Sequence, residues 1–264
     1  MSIEQNIGVI GGTGQLGWAI AQGLLSSELI ASKQLWISNR SGKSPASNEW
    51  SGINFTTSNQ DLVDACQIVI LSVPPHLFSS LQINAKDCLI VSVMAGVTIE
   101  MIQQHTGANR IVRAMSSPAA AQQLAYSPWC VNAQVTDKDR ETVTKVFNAV
   151  GLTDQVPDED QIDRFTVLTG PVPGFVAFFA DCMVKYAVNN GISTEIANRA
   201  IRQLFLSGGT LMANSTMSPG EHVKEMIDYA GTTAAGLQAM ENSPITEDIG
   251  HGLDKAYEKT KTIA

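Results

Sequence analysis

Apolar residues in the first half of the chain fall into short runs at 7–10, 35–38, 68–73, 89–93 and 110–115. Runs of this length with few polar interruptions predict strands buried on both faces. Stretches of helical spacing separate them, as in Trp18, Ala19, Ala21, Leu24 and Leu25 after the first run. Pro74-Pro75 closes the third strand, because proline cannot donate to a ladder. Strand alternating with helix predicts an α/β domain, a doubly wound parallel sheet covered on both faces. That regime runs to about Val156 and ends at the acidic, turn-rich Pro157-Asp158-Glu159-Asp160. Beyond it the strand signals fade, and helical periodicity takes over at 175–189, 194–213 and 249–261. The expected division is therefore a sheet domain over 1–158 and a second, all-α domain over 159–264. Phe175, Phe178, Phe179, Cys182, Met183 and Tyr186 make a broad apolar face, continued by Ala200, Leu204 and Leu211. Two readings of that face stand side by side: a helical dimer interface, or the filled core of a monomer.

The charge balance narrows the partners. The chain has 17 Lys and Arg against 25 Asp and Glu, a formal net charge of -8. Such a surface repels nucleic acid and anionic membranes, so a small-molecule partner is expected. Cys66, Cys88, Cys130 and Cys182 lie far apart with no C-x-x-C pair, which points to neither a metal site nor a disulfide framework. A reducing, cytoplasmic setting is the expectation. No apolar run approaches the ~20 residues of a membrane span, and the start of the chain lacks the basic, then apolar, pattern of an export signal.

The candidate chemistry begins directly after the first strand. Gly12-Thr13-Gly14-Gln15-Leu16-Gly17 matches G-x-G-x-x-G between a strand and a helix, the context in which this short pattern binds a dinucleotide. Gly12 is expected to make the tight turn, Gly14 to let the backbone approach a pyrophosphate, and Gly17 to let helix pack on strand. The helix N-terminus then faces the negative charge. The domain is accordingly read as a Rossmann fold. At the end of the second strand an NAD enzyme places Asp or Glu against the ribose 2'-hydroxyl. This chain has Ser38-Asn39-Arg40-Ser41-Gly42-Lys43 instead. With no carboxylate there, Arg40 offers a planar fork and Ser38, Asn39 and Ser41 offer neutral donors, so NADP(H) is the expected cofactor.

Several further segments together resemble the delta-1-pyrroline-5-carboxylate reductase family over nearly the whole chain. Ile70-Leu71-Ser72-Val73-Pro74-Pro75 is similar to that family's V-K-P strand end, and Ser92-Val93-Met94-Ala95-Gly96-Val97 to its S-x-x-A-G-V. Ile111-Val112-Arg113-Ala114-Met115 is similar to its V-V-R-x-M strand, and Ala230-Gly231-Thr232-Thr233 to the end of S-P-G-G-T-T. The resemblance implies an NADPH-dependent imine reductase whose helical C-terminal domain forms a homodimer, or a higher oligomer built on it, with the active site at the interface. It places Val73, Pro74, Ala95 and Gly96 along the cofactor, Ser117 and Pro118 beside the nicotinamide, and Gly231, Thr232 and Thr233 on the substrate. An iminium carbon is already electrophilic, so positioning rather than a strong general acid is the main requirement.

The departures from the family pattern gather at the expected substrate end. M-P-N-T-P is replaced by Met115-Ser116-Ser117-Pro118, and S-G-S-G-P-A-Y by Thr169-Gly170-Pro171-Val172-Pro173-Gly174-Phe175. The lysine of V-K-P is Pro74, and the Ser-Pro before G-G-T-T is Asp228-Tyr229. Two other readings share the glycine loop. Gly11-Gly12-Thr13-Gly14 followed by Asn39-Arg40-Ser41 also resembles deazaflavin-dependent NADP reductases. The altered substrate segments fit a nucleotide-binding regulatory protein without turnover.

Overall fold

The computed structural model describes residues 2–45 and 49–263. The first apolar run is strand β1, Ile7–Ile10, followed by helix α1, Gln15–Ser26, and strand β2, Leu35–Ser38. A short strand β3, Asn54–Thr56, precedes helix α2, Asn59–Ala65, and strand β4, Ile68–Leu71. Strand β5, Leu89–Ser92, helix α3, Ile99–Thr106, and strand β6, Arg110–Ala114, come next. Strands β7, Ala125–Tyr126, and β8, Trp129–Val131, then helix α4, Asp137–Asn148, and strand β9, Gly151–Leu152, finish the sheet region. The main sheet runs β3-β2-β1-β4-β5-β6-β8, parallel throughout except for antiparallel β8, while β7 and β9 form a separate parallel pair. The expected doubly wound parallel sheet is present.

The register explains why the strand runs read as apolar on both faces. Ile68 and Ile70 of β4 enter the core under α1 and α4, while Val69 and Leu71 enter the core under α2 and α3. Strand β3 carries no such run because it lies at the sheet edge, with its residues half-buried. Strand β8 is only three residues long and directly follows Pro128. Neither has the periodicity that revealed the others. The third strand stops at Leu71, two residues before the expected Val73, and Pro75–Ser80 continues as a 3-10 turn.

Helices follow: α5, Glu159–Leu168; α6, Gly174–Asn189; α7, Thr194–Ala213; α8, Pro219–Asp228; α9, Thr232–Glu241; α10, Ile245–Thr260. Contacts divide the chain into one unit of Met1–Val172 with Lys255–Ala264 and another of Pro173–Asp254. The division expected at 158/159 thus differs from the contact boundary by the length of α5 and the end of α10. Ile162 of α5 is fully buried with Met115, Cys130 and Val156. Beside it Arg113 of β6, 1% exposed, holds Glu159 at 3.1 Å and Asp163 at 2.5 Å. Asp163 also accepts from Lys261 at 2.7 Å, which brings the chain's last turn onto α5.

The second unit is all helical. Helix α6 lies along α7, and α8 along α9. Among the described residues, only Ala197 and Ala234 of this unit are buried, while Phe178, Tyr186, Leu206 and Leu211 are each more than 60% exposed. The apolar face is therefore not filled by the helices of this unit themselves, which disfavours the reading of it as the filled core of a lone bundle. Among the described residues no helix is long and apolar enough to cross a membrane.

Candidate functional site

The chain leaves β1 toward β2 and β3 on one side, and returns at β4 to continue toward β5 and β6 on the other. Between the carboxyl ends of β1 and β4 the strand order reverses, and in open α/β sheets ligands bind in the crevice this creates. A cavity of about 630 Å³ lies there, walled by the β1 turn, the end of β2 and the Ser72–Pro74 segment.

The glycine loop assembles with one change of role. The left-handed turn falls to Gly11, at φ +79°, rather than to Gly12; a Cβ on Gly11 would stand 2.6 Å from the Ser72 carbonyl oxygen. Gly12 is buried, and its hypothetical Cβ would crowd Val9 and Ile37 at 3.0 Å, so it serves packing between β1 and β2. Gly14 donates to the Gly11 carbonyl at 2.9 Å and caps α1 without a side chain, and the first turn of α1 carries no acidic residue. The leading amides of α1 are thus left for an anion. A Cβ on Gly17 would meet the Gly11 oxygen at 2.7 Å, in keeping with its expected role in helix packing.

The end of β2 supplies the second part. Ser38 is 2% exposed, and its Oγ has no hydrogen-bond partner, although the residue lines the cavity. An orphaned hydroxyl at that place fits a ligand oxygen. Arg40 and Lys43 are exposed, and neither side chain has a partner among the described residues. Asn39 and Ser41 are engaged differently from the expectation that they donate to the ligand. The Asn39 Oδ1 accepts from the Gly42 amide at 2.6 Å, the Ser41 amide at 3.0 Å and the Ser41 hydroxyl at 3.1 Å. Its Nδ2 donates to the Lys43 carbonyl at 2.8 Å. These two side chains build the turn, and of the residues lining the cavity Arg40 and Ser38 remain available to a phosphorylated ribose.

Of the residues expected on the cofactor, Thr13, Gly14, Ser38, Asn39, Arg40, Ser41, Val73 and Pro74 line this one cavity. Gly12, Gln15, Leu16 and Gly17 belong to the turn and helix behind it, and Ala95 and Gly96 follow β5 outside its wall. Thr57, Asn59, Leu77, Ser80 and Leu81 also line the cavity and escaped the sequence reading. The signal for Thr57 and Asn59 was their place just past β3, a strand with no apolar run to announce it.

The altered segments lie past β6. Ser116 shares a 2.9 Å hydrogen bond with the buried Ser127 hydroxyl. Ser117 is buried and precedes the 3-10 turn Pro118–Gln122 without capping it by its side chain. A Cβ on Gly170 would lie 3.4 Å from Met115 Sδ, so the altered segments at 115–118 and 169–172 adjoin. Glu159, held by Arg113, also accepts from the Ile99 amide at 2.9 Å, tying α5 to the start of α3 as well as to β6. Cys130 lies in this cluster, and burial, followed by the charge of Glu159, pushes its thiol up to about 12.

Gly231 is the N-cap of α9, and exposed Thr232 and Thr233 open that helix. Ala230 takes the left-handed conformation at φ +58°, where the family pattern has glycine. Asp228 pairs with Lys224 at 2.6 Å, so its charge is partly answered within α8. These residues belong to the second unit, and the nucleotide cavity belongs to the first. Neither His76 nor His105 joins the nucleotide cavity: the His105 Nε2 bonds the Leu81 carbonyl and its ring packs on Phe78, while His76 is exposed outside the cavity wall.

Residues 159–263 match the family described as pyrroline-5-carboxylate reductase dimerisation, and residues 6–96 match NADP oxidoreductase coenzyme F420-dependent. The chain is 29% identical to the pyrroline-5-carboxylate reductase of Methanosarcina acetivorans, covering 98% of each chain. It is 28% identical to that of Escherichia coli, covering 99% of each. The solved structure of Plasmodium falciparum pyrroline carboxylate reductase with NADP bound shares the fold at a TM-score of 0.83 and 23% identity, covering 100% of this chain and 99% of that one.

Proposed function

We propose that the chain belongs to the pyrroline-5-carboxylate reductase family and, from that premise, that it is an NADPH-dependent reductase of the C=N bond of a cyclic imine, 1-pyrroline-5-carboxylate or a close relative. The observation that carries the cofactor reading is the cavity at the β1/β4 switch point, with an uncapped α1 N-terminus at one wall and free Arg40 above an orphaned Ser38 hydroxyl at another. That donor set fits a pyrophosphate and a 2'-phosphate respectively. When bound, the reduced nicotinamide supplies the hydride.

The residues of the chain then have positioning to do. Arg40 and Ser38 hold the adenosine end, and Val73 and Pro74 border the path toward the nicotinamide. Ala95 and Gly96 lie beyond them, Ser117 faces the reacting end, and Gly231, Thr232 and Thr233 orient the substrate through amides and hydroxyls at the α9 start. Functionally, 1–158 is the nucleotide part and 159–264 the dimerisation and substrate part, a division supported by the family match over 159–263. The exposed apolar face of α6 and α7 supports a homodimer through the C-terminal helices, and further association of such dimers is compatible with it. The service of the enzyme is a reductive step that closes amino-acid synthesis to proline, in a cytoplasmic setting.

The match to the F420-dependent family covers only the nucleotide-binding segment, while the second half matches the reductase dimerisation family. That division favours an imine over a deazaflavin as the hydride acceptor. The test is NADPH oxidation by the purified protein, followed at the nicotinamide band, with 1-pyrroline-5-carboxylate added. Turnover with NADPH well above that with NADH is the expected result. Tight NADPH binding without oxidation by any cyclic imine would overturn the reductase reading and leave a nucleotide-binding regulatory protein.

A further inference from the structure

The turn after β2 contains a division of labour that the residue types alone conceal. Asn39 is one residue from Arg40 and occupies the place where a donor to a 2'-phosphate is expected, yet both ends of its amide are committed to backbone. Its oxygen gathers the Ser41 and Gly42 amides and its nitrogen holds the Lys43 carbonyl at 2.8 Å. Its own backbone amide donates to the Thr56 carbonyl at 3.1 Å, which pins the turn to the end of β3. Gly42 closes the turn at φ +63°, and its hypothetical Cβ would press on Thr57 at 3.0 Å. Thr57 is itself part of the cavity wall. Of the turn's side chains that line the cavity, the one left over is Arg40, exposed on a turn tied at both ends.

We infer that Asn39 is a positioning residue for nucleotide selectivity: it sets the backbone from which Arg40 reaches a 2'-phosphate, and acts on that phosphate only through Arg40. The inference rests on the NADP reading above. A long arginine on a loose loop loses side-chain and backbone freedom when it grips an anion, and a prebuilt turn removes part of that cost beforehand. NADH has no 2'-phosphate, so the same turn gives it nothing.

The experiment is equilibrium titration of the full-length protein with NADPH and with NADH, read by nicotinamide fluorescence, which is independent of the substrate. Four proteins are compared: wild type, Asn39→Ala, Arg40→Ala and the double variant. Asn39→Ala is expected to weaken NADPH about 10-fold, the scale of one charge-assisted hydrogen bond, with NADH changed less than about twofold. In the Arg40→Ala background the same substitution is expected to have almost no further effect on NADPH. Gly42→Ala distorts the turn without removing either side chain, and the same NADPH-selective loss is expected from it. Equal weakening of both nucleotides by Asn39→Ala, or a loss that persists without Arg40, overturns the inference, because Asn39 would then be supporting the fold or touching the ligand directly. Wild-type protein that binds NADH as well as NADPH overturns the NADP reading itself, and the inference with it.

Discussion

Arg113→Met tests how α5 is fastened to the sheet. The guanidinium is 1% exposed and binds Glu159 at 3.1 Å and Asp163 at 2.5 Å. Methionine fills similar space without charge, leaving Asp163 to Lys261 alone and Glu159 to the Ile99 amide. Deleting one partner of a buried ion pair costs ~3–5 kcal/mol, because the other charge stays behind in a poorly solvated place. Two features push the cost toward the lower end: Lys261 still reaches Asp163, and the Glu159 side chain is 34% exposed. A loss of about 3 kcal/mol corresponds to roughly 6–12 °C in Tm for a chain of this size. The assay is a thermal or urea melt at fixed protein concentration and without nucleotide, since subunit and ligand binding both shift the transition. The double variant Arg113→Met with Asp163→Leu should be more stable than the sum of the two single losses, as an apolar pair replaces a buried ionic one. A single-variant loss below about 1 kcal/mol, or strict additivity, would refute the reasoning.

Other substitutions probe places where the chain departs from the simplest chemistry. Ala230→Gly removes left-handed strain of ~1–2 kcal/mol and adds unfolded-state entropy of ~0.4–1 kcal/mol, so a net gain of up to about 1.6 kcal/mol is expected in a urea melt, and a loss would show the strain is absent. Thr233→Ala should raise KM for the true imine with little change in KM for NADPH; an unaltered imine KM removes Thr233 from the substrate site. Cys66 and Cys130, both pushed up to about 12 chiefly by burial, should resist a thiol reagent at pH 8 in the folded protein, and rapid labelling of either would contradict that burial. The hydrogen bond to Asp163 raises the Lys261 pKa in the folded state, so the stabilisation it brings is complete below the unfolded lysine value of about 10.4 and is lost as pH rises through the folded one. Melts of wild type and Lys261→Ala from pH 7 to 11 should therefore keep a constant gap until pH exceeds about 10 and begin to narrow above it.

The five principal strands were legible because their residues are buried on alternating faces, which leaves little room for polar positions in the sequence. The glycine loop was legible because close backbone approach excludes every other residue. Its inner assignment was not: whether Gly11 or Gly12 makes the left-handed turn depends on the Ser72 carbonyl, which comes from another strand. The same limit hid β3 and β8, whose pairing is set by neighbours rather than by their own apolar content, and with β3 it hid Thr57 and Asn59.

The side chains at the end of β2 illustrate the difference most directly. Composition alone determined that no carboxylate stands there and that an arginine does, which is enough to favour a phosphorylated ribose, since charge repels or attracts irrespective of detailed geometry. Which donors remain free was decided by the folded turn, because a hydrogen-bonding group satisfied by its own backbone is no longer available to a ligand, and only three-dimensional placement determines which groups those are. Likewise the apolar periodicity of α6 and α7 determined that a large surface must be covered. Only the tertiary structure decided that the second unit does not cover it by itself: within that unit the helices lie alongside one another in pairs, and pairs of helices leave their outer faces open.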